Sequence, residues 1–250
     1  MQDAPTASRE QVALGNPSFV WRAGQDRRLN LIRRYVPLEG ARVLDIGCGI
    51  GAYVKKLAEV SGRAYGVDID RERVRQGEPG VLAVAVSERL PYTDGAFDAV
   101  LLNEVIEHVR DEGETLREAC RVVRPGGHVI IYAPNRLFPF ETHGVYLGER
   151  YVFGNIPLIN YLPDVLRKRL VPHARAYTAR GLRRLVERLP AEIVLHTQVY
   201  PGFDNIAARR GKLGSALQAV FHRLEGTALR AFGLSHFMIL RTRPTEAVHG

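Results

Sequence analysis

The sequence feature that most constrains the fold is a glycine-rich segment, DIGCGIG at residues 45–51, set between two different hydrophobic patterns. Residues 41–46 include a short apolar run typical of a buried strand, and residues 52–60 have the period of an amphipathic helix. Glycines at such a turn let the backbone pass close to a ligand, and the N-terminus of the helix favours negative charge. The segment therefore predicts a strand–helix unit with a ligand site at its turn.

The same alternation continues along the chain. Strand patterns are predicted at residues 63–67, 81–86, 97–102, 128–133, 193–199 and 236–241, and helix patterns at residues 71–76, 112–123, 178–189 and about 213–232. Pro125-Gly126-Gly127 is expected to stop the helix before the fifth strand. Strands that alternate with helices indicate an α/β fold with a mostly parallel sheet.

Two segments fall outside this alternation. Residues 1–36 are predicted to be a polar tail followed by a helix over residues 17–36, and residues 37–250 to form one domain. Residues 134–177 have five prolines, no clean period and seven of the 19 Phe and Tyr side chains, so they are expected to be an ordered insertion.

Composition limits the expected partners. The 250 residues carry 35 Lys and Arg against 27 Asp and Glu, a formal charge of +8. Residues 1–133 hold 18 basic and 19 acidic side chains, whereas residues 134–250 hold 17 and 8, so the whole excess lies in the second half. A nucleic acid or a membrane surface is therefore expected to contact only the second half, if either is a partner.

Cysteine content and hydropathy indicate the compartment. Two cysteines, Cys48 and Cys120, exclude a disulfide scaffold and a cysteine-rich zinc site. The polar residues 1–10 predict no signal peptide, and no apolar run approaches the ~18 residues of a membrane-spanning helix. The expectation is a soluble cytoplasmic protein.

The glycine segment fits two ligands. Gly47, Gly49 and Ala52 match a dinucleotide fingerprint, and Asp68 follows 21 residues after Gly47 at the end of the next strand, so a nicotinamide-dependent oxidoreductase is one alternative. Asp45 favours the other ligand, because a pyrophosphate gains nothing from that carboxylate. S-adenosylmethionine (SAM) carries an amine, a ribose diol and a cationic sulfonium, all of which suit carboxylates.

Six segments in order then resemble a known family. They are residues 43–51, 66–68, 87–91, 97–98, 103–108 and 124–127, within a stretch of about residues 38–135. Together they resemble the class I SAM-dependent methyltransferases of type 11, the group that includes ubiquinone and menaquinone biosynthesis enzymes. The resemblance implies a Rossmann-like, doubly wound sheet of seven mostly parallel strands, with the last strand antiparallel and residues 134–177 inserted on the acceptor side.

The resemblance also implies a role for each residue of the loop. Gly47, Gly49 and Gly51 would surround the methionine part of SAM, and Asp45 would support the loop and the amine. The N-terminal helix would close over SAM and acceptor. That helix carries Trp21, Arg22, Gln25 and Asp26, of which Trp21 is expected to pack in the core.

The remaining cofactor contacts are implied along the next strands. Asp68 would bind the ribose hydroxyls, and Ile69 would lie against the adenine. Val86 stands where relatives carry an acid for the adenine amino group, so Ser87 would supply a backbone N–H or its hydroxyl instead. Asn103 would lie beside the sulfonium.

Two clusters could supply a base for the acceptor. Glu104, Glu107 and His108 would share one face of a helical turn, where they could brace the turn, act as a base or hold a divalent metal, as similar triplets do in quinone O-methyltransferases. Bracing is favoured, and no metal is assigned. In the second cluster, Glu141 and His143 lie among aromatic residues after the fifth strand, where open α/β sheets bind ligands. His143 is the preferred base and His108 the second.

The basic second half has three interpretations. Residues 145–188 intersperse arginines with apolar side chains, which suits a peripheral membrane contact or a lipid-linked acceptor, suits RNA less well, and also fits a solvated helix face. We expect SAM-dependent O-methylation of a small or lipid-linked hydroxyl compound. The alternatives are a nicotinamide-dependent oxidoreductase, a SAM-binding protein without activity, and methylation of RNA.

Overall fold

The computed structural model describes residues 23–202, 216 and 218–243. The predicted N-terminal tail, the start of the predicted helix at 17–36 with Trp21 and Arg22, and the first part of the predicted helix at 213–232 lie outside these residues. The first half contains α1 (Ala23–Arg33), β1 (Arg42–Ile46), α2 (Ala52–Ser61), β2 (Arg63–Asp68), α3 (Arg71–Gln76), β3 (Leu82–Val84), β4 (Phe97–Asn103), α4 (Glu112–Val122) and β5 (Val123–Pro134).

The second half begins with short elements and ends with the sheet's last two strands. It contains β6 (Phe140–Glu141), β7 (Val145–Leu147), β8 (Arg150–Val152), β9 (Ile156–Pro157), a 3₁₀ turn (Ile159–Tyr161), α5 (Asp164–Leu170), α6 (Ala179–Val186), β10 (Ala191–Val199), a 3₁₀ helix (Ala228–Phe232) and β11 (Ser235–Thr242). Residues 218–224 are also helical.

Seven strands form one sheet in the order β10-β11-β5-β4-β1-β2-β3. The pairs among β1 to β5 are parallel, and β11 is antiparallel to both β5 and β10. This arrangement confirms the predicted Rossmann-like fold with an antiparallel last strand. The carboxyl ends of β1, β2, β4 and β5 therefore lie along one edge of the sheet.

Helices cover both faces of the sheet, which is why its strands are almost continuously apolar. In β1, Val43 belongs to one buried core and Leu44 to the other, since successive side chains point to opposite faces. The Val43 core includes Leu29 and Ile32 of α1, so burial of this helix face holds α1 against the sheet. Among the described residues, no helix is long and apolar enough to cross a membrane.

Two predicted boundaries differ from the structure. The fifth strand was predicted to begin at residue 128, but β5 begins at Val123, directly after α4. The glycines that were expected only to stop the helix lie inside the strand, where a Cβ on Gly127 would stand 2.6 Å from the carbonyl oxygen of Asp98. Gly127 thus lets β5 pass close to its neighbour β4 at the register shift between Phe97 and Ala99, so this glycine serves strand packing. β3 is shorter than predicted, at Leu82–Val84.

The insertion is anchored at both ends beside the end of β5. Tyr177 donates its backbone N–H to the carbonyl of Pro134 at 2.9 Å, and Arg136 donates to Tyr177 at 2.8 Å. Between these ends, β6 pairs with β9 and β7 with β8, and both pairs are antiparallel. Regular hydrogen bonding is therefore present where the sequence showed no period, because the strands are only two or three residues long.

Candidate active site

A cavity of about 1040 Å³ opens at the carboxyl ends of β1, β2 and β4. The predicted residues that line it are Asp45, Gly47, Gly49, Asp68, Ile69, Ser87, Asn103, Glu104, His108 and His143. Gln25 of α1 also lines the cavity, whereas Asp26 does not. The structure thus brings the cofactor residues and both predicted histidines to one space.

The glycine loop lies tightly against its neighbours. The N–H groups of Gly47 and Cys48 both donate to the carbonyl of Val67, at 2.8 and 3.0 Å. Gly47 has a φ of +71°, and a Cβ there would stand 2.6 Å from Cγ2 of Val105. Only glycine fits this position, because both the backbone conformation and the space exclude a side chain.

Gly51 has a different position from the one expected. It does not line the cavity; it is the N-cap of α2, with a φ of +85°. A Cβ there would stand 3.1 Å from Cδ1 of Leu82. Gly51 therefore lets α2 begin close against β3 and contributes to the site only by shaping the loop.

Asp68 fixes the loop before any ligand is bound. Its Oδ2 accepts from the N–H of Gly49 at 2.7 Å, and its Oδ1 accepts from the N–H of Asp70 at 2.8 Å. Each carboxylate oxygen can accept a second hydrogen bond, so the group remains available to a diol in the cavity. Asp68 thus both orients the loop and faces the ligand space.

Asp45 is a buried acid beside the same space. Burial raises the pKa of Asp45 well above its usual range, and the nearby Asp68 carboxylate raises it further. Burial makes ionisation of this carboxyl group unfavourable. A cation in the cavity would reduce that penalty by stabilising the charged form. This matches the ammonium group for which Asp45 was predicted.

Arg28 of α1 is a site residue that the sequence analysis missed. It donates to Oδ1 of Asn103 at 2.6 Å, to Oε1 of Glu104 at 2.8 Å and to Oγ of Ser235 at 2.9 Å. Its guanidinium also lies 4.6 Å from the ring centroid of Tyr132. Arg28 ties α1 to the ends of β4 and β11. The signal in the sequence was Glu104, because an acid at the end of a buried strand requires a cationic partner.

Glu104 does not share a face with Glu107 and His108 as predicted. The backbone at Glu104 has a φ of +58°, which turns the chain away from a helical path directly after β4. Its carboxylate is held by Arg28 and Ser235. The residue that joins Glu107 and His108 instead is His143, from the insertion.

The three side chains of this cluster, Glu107, His108 and His143, offer ligand atoms within 4.8 Å of one another. Oε1 of Glu107 lies 4.0 Å from Nε2 of His108 and 3.8 Å from Nε2 of His143. The Nδ1 atom of His108 lies 2.9 Å from the carbonyl oxygen of His173, and Nδ1 of His143 lies 2.9 Å from Oε1 of Glu141. Both rings therefore direct Nε2 toward the same carboxylate.

Glu107 is buried without a hydrogen-bond partner for either oxygen among the described residues. Burial raises the pKa of Glu107 to about 7, although the nearby His143 opposes the shift. Burial and the charge of His143 lower the pKa of His108 to about 4. His143 is also buried, but Glu107 and Glu141 outweigh this and raise its pKa to about 10. At neutral pH the structure thus pairs a neutral imidazole with an imidazolium.

Glu141 contacts His143 and does not line the cavity. It is 2% exposed, and its Oε2 accepts from Nη2 of Arg167 at 2.6 Å. Burial alone would raise the pKa of Glu141, but the positive charges of His143 and Arg167 lower it to about 2. The carboxylate predicted as catalytic is therefore placed to orient His143 and does not reach the ligand space.

Comparisons with known proteins agree with this geometry. The profile of a family described as "Methyltransferase domain" matches residues 44–131. The ubiquinone biosynthesis O-methyltransferase of Ralstonia nicotianae is 33% identical over 142 residues, which cover 52% of this chain and 58% of that protein. The enzyme of the same name from Chromobacterium violaceum is 32% identical, with coverage of 52% and 60%. The chain thus spans little more than half the length of these relatives.

A solved structure supports the same fold. The S-adenosylmethionine-dependent methyltransferase from Mesorhizobium loti superposes with a TM-score of 0.57 at 18% identity, covering 85% of this chain and 96% of the other. At that identity the likeness concerns the fold alone. The profile and the relatives support a class I SAM-dependent methyltransferase domain that includes residues 44–131, and the superposition agrees with its fold.

The two relatives carry the name of the ubiquinone-type group whose motifs the sequence resembles. The cofactor of the class is SAM. The nicotinamide-dependent and RNA alternatives find no support in these comparisons.

Proposed function

We propose that this protein transfers the methyl group of SAM to a hydroxyl oxygen of a small or lipid-linked compound. The observation that carries the proposal is that one cavity is lined both by Asp45 and Asp68 and by His108 and His143. The first pair suits the cofactor's amine and ribose. Of the second pair, His108 can take up the proton of a hydroxyl acceptor. The names of the two ubiquinone biosynthesis relatives support this acceptor chemistry.

The cofactor half of the site binds by complementary charge and shape. Asp45 would bind the α-ammonium group and Asp68 the ribose diol, while the exposed side chain of Ile69 is available to cover the adenine. Ser87 lines the cavity, but its hydroxyl lies 3.0 Å from Oγ1 of Thr115, so its backbone N–H would be the freer donor to the adenine. Asn103, which ends β4 and is held by Arg28, would lie beside the sulfonium.

Methyl transfer is a displacement at carbon in which the acceptor oxygen attacks and the thioether of S-adenosylhomocysteine leaves. The protein's main contribution is to align the oxygen with the methyl group and to exclude water. The acceptor must also lose its hydroxyl proton. His108 is neutral at neutral pH and its Nε2 is free, so its lone pair is available before His143, which already holds a proton. Glu107, 4.0 Å away with a pKa of about 7, can then receive the proton.

Transfer of tritiated methyl groups from SAM to a prenylated catechol, with mass spectrometry of the product, tests this function. His108→Gln and His143→Gln should each lower the rate by about 10²–10⁴-fold while S-adenosylhomocysteine still binds. His128→Gln, in β5 away from the cavity, is the matched control and should change neither quantity. Retained cofactor binding with no transfer to any hydroxyl acceptor would instead indicate a SAM-binding protein without this activity.

As an alternative to this proton-transfer role, we propose that Glu107, His108 and His143 are the ligands of a divalent metal ion. Glu107 has buried oxygens without a hydrogen-bond partner among the described residues, and each histidine donates its other ring N–H to an oxygen, which is the usual setting of metal-bound imidazoles. A bound cation would lower the pKa of an acceptor hydroxyl. This ligand set differs from the triplet of Glu104, Glu107 and His108 that the sequence analysis considered without assigning a metal.

Metal content gives a test that does not depend on activity. After chelation and reconstitution with Mn²⁺ or Zn²⁺, mass spectrometry should find one ion per chain in the wild type and none in Glu107→Gln. Glu104→Gln should retain the ion, because Glu104 is held by Arg28 outside the cluster. Loss of the ion from both variants would favour Glu104, Glu107 and His108 as the ligands. Absence of the ion from the wild type would exclude the proposed metal site.

A further inference from the structure

The insertion exposes an unusual number of large apolar side chains. Among the described residues, 17 large apolar side chains are exposed, and eight of them lie between positions 137 and 166. These eight are Leu137, Phe140, Leu147, Phe153, Leu158, Tyr161, Val165 and Leu166. Single exposed apolar residues are ordinary, but a concentration of this kind marks a surface that meets an apolar partner.

Four of these side chains belong to one hydrogen-bonded unit. Phe140 pairs with Pro157 across the β6–β9 ladder, and the N–H of Leu158 donates to the carbonyl of Pro139 at 2.8 Å. The hydroxyl of Tyr161 donates to the carbonyl of Leu137 at 2.7 Å. These bonds join the backbone of the first exposed segment to that of the second, so the apolar side chains are carried on one fixed support.

Leu158 has a conformation that solvent exposure does not explain. Its φ is +64°, in the left-handed region that leucine rarely adopts, and its side chain is 61% exposed. Glycine or asparagine would suit such a position better in water. A leucine there is useful if its side chain enters an apolar phase.

The helix α5 continues the apolar surface and adds positive charge. Val165, at 68% exposure, and Leu166 are exposed on it, as are Lys168 and Arg169. Its one acid, Asp164, lies 3.0 Å from Nη2 of Arg136 and is neutralised by it. The outward face of α5 is therefore apolar and cationic, a combination that complements a bilayer with anionic headgroups.

We propose that this docking surface, formed by Leu137, Phe140, Leu158, Tyr161, Val165 and Leu166 with Lys168 and Arg169, binds an anionic lipid bilayer. The sequence predicted a membrane contact within the broad region 145–188, and this proposal assigns the contact to the smaller docking surface. Arg180, Arg183 and Arg184 of α6 and Arg188 just after it are exposed, but no large apolar side chain of that helix is exposed with them. Those arginines fit the solvated helix face.

The docking surface is connected to the cavity. Arg167, on the buried side of α5, binds Glu141, which in turn holds His143 at the cavity wall. Docking would hold the insertion that carries His143 at the bilayer, which suits a lipid-linked acceptor. Bilayer binding itself does not depend on the proposed methyl transfer and is measured without SAM or acceptor.

Cosedimentation with extruded vesicles tests the proposal. Wild-type protein should bind vesicles of phosphatidylcholine and phosphatidylglycerol in equal parts. Leu158→Asp and Val165→Asp should each weaken binding by at least about tenfold, because each removes a buried aliphatic side chain from the bilayer. Val194→Asp is the matched control, since Val194 is 45% exposed on the edge strand β10 outside the surface. Thermal melting followed by circular dichroism checks that all three variants fold.

Two further measurements, one on a charge-reversal variant and one on vesicles without anionic lipid, could overturn the proposal. Lys168→Glu combined with Arg169→Glu should weaken binding to the anionic vesicles, and vesicles of phosphatidylcholine alone should bind less. Equal binding to both vesicles would refute the charge argument, and equal effects of Val165→Asp and Val194→Asp would refute the surface. A wild-type dimer by light scattering that Leu158→Asp converts to monomer, without vesicle binding, would assign the surface to a second copy.

Discussion

Replacing Arg167 by methionine tests whether the insertion depends on a buried ion pair. The guanidinium is 4% exposed and donates to Oδ1 of Asn160 at 3.1 Å, to the carbonyl of Ala174 at 2.9 Å and to Oε2 of Glu141 at 2.6 Å. Methionine has a similar length but none of these donors. The substitution leaves the buried carboxylate of Glu141 with His143 as its one remaining counter-charge among the residues that contact it.

The expected cost follows from that orphaned charge. Removal of one partner of a buried ion pair typically lowers the free energy of unfolding by about 3–5 kcal/mol. The lower end of that range is expected here, because Glu141 keeps its contacts with the side chain and the backbone N–H of His143. Adding Glu141→Gln to Arg167→Met should cost less than the sum of the two single changes, since the unpaired charge is gone.

Urea unfolding followed by circular dichroism at pH 7 measures these free energies. Lys168→Met is the matched control, because this neighbour on α5 is exposed, and it should change stability by less than about 0.5 kcal/mol. A loss below about 1 kcal/mol for Arg167→Met, or strict additivity with Glu141→Gln, would refute the claim that this ion pair organises the insertion.

Three further predictions concern the cofactor half. Gly47→Ala should weaken S-adenosylhomocysteine binding at least about tenfold, because a left-handed alanine costs about 1–2 kcal/mol and its Cβ would overlap Val105. Gly40→Ala is the control, with a φ of +72° and open space, and calorimetry should find its affinity unchanged. Because the pKa of Asp45 is raised, the cation displaces a proton from this acid at any pH below that pKa, and calorimetry should show SAM affinity rising with pH over that range by up to about tenfold per unit. Asp45→Asn should bind more weakly with a flatter pH dependence, and an unchanged slope would contradict this role. Arg28→Met should lower both the melting temperature and the affinity for S-adenosylhomocysteine, since α1 loses its hydrogen bonds to Asn103, Glu104 and Ser235. A melting temperature equal to that of the wild type would contradict it.

The cofactor residues could be predicted because their positions depend on local sequence. Asp45, Gly47 and Gly49 lie within five residues of one another, and Asp68 ends the adjacent parallel strand. A strand, a turn of fixed geometry and a helix place these groups almost independently of the rest of the chain. The seven-stranded sheet was predictable for the same reason, since its strands have strong apolar patterns.

The acceptor half could not be predicted to the same depth. The contact of His143 with Glu107 joins residues 36 positions apart, and it depends on the path of an insertion whose short ladders have no hydrophobic period. The separation of Glu104 from Glu107 depends on one left-handed backbone conformation, which the residue type does not reveal. Arg28 reaches the site only because α1 packs across the ends of β4 and β11. Each of these features is set by tertiary packing.

Isothermal titration calorimetry on the wild-type protein tests the central claim most directly. SAM and S-adenosylhomocysteine should each bind at one site per chain, NAD should not bind, and Asp68→Asn should weaken both ligands, since Asp68 holds Gly49 and faces the ribose. Binding of NAD without SAM, or SAM binding that is unaffected by Asp68→Asn, would contradict the cofactor site described above.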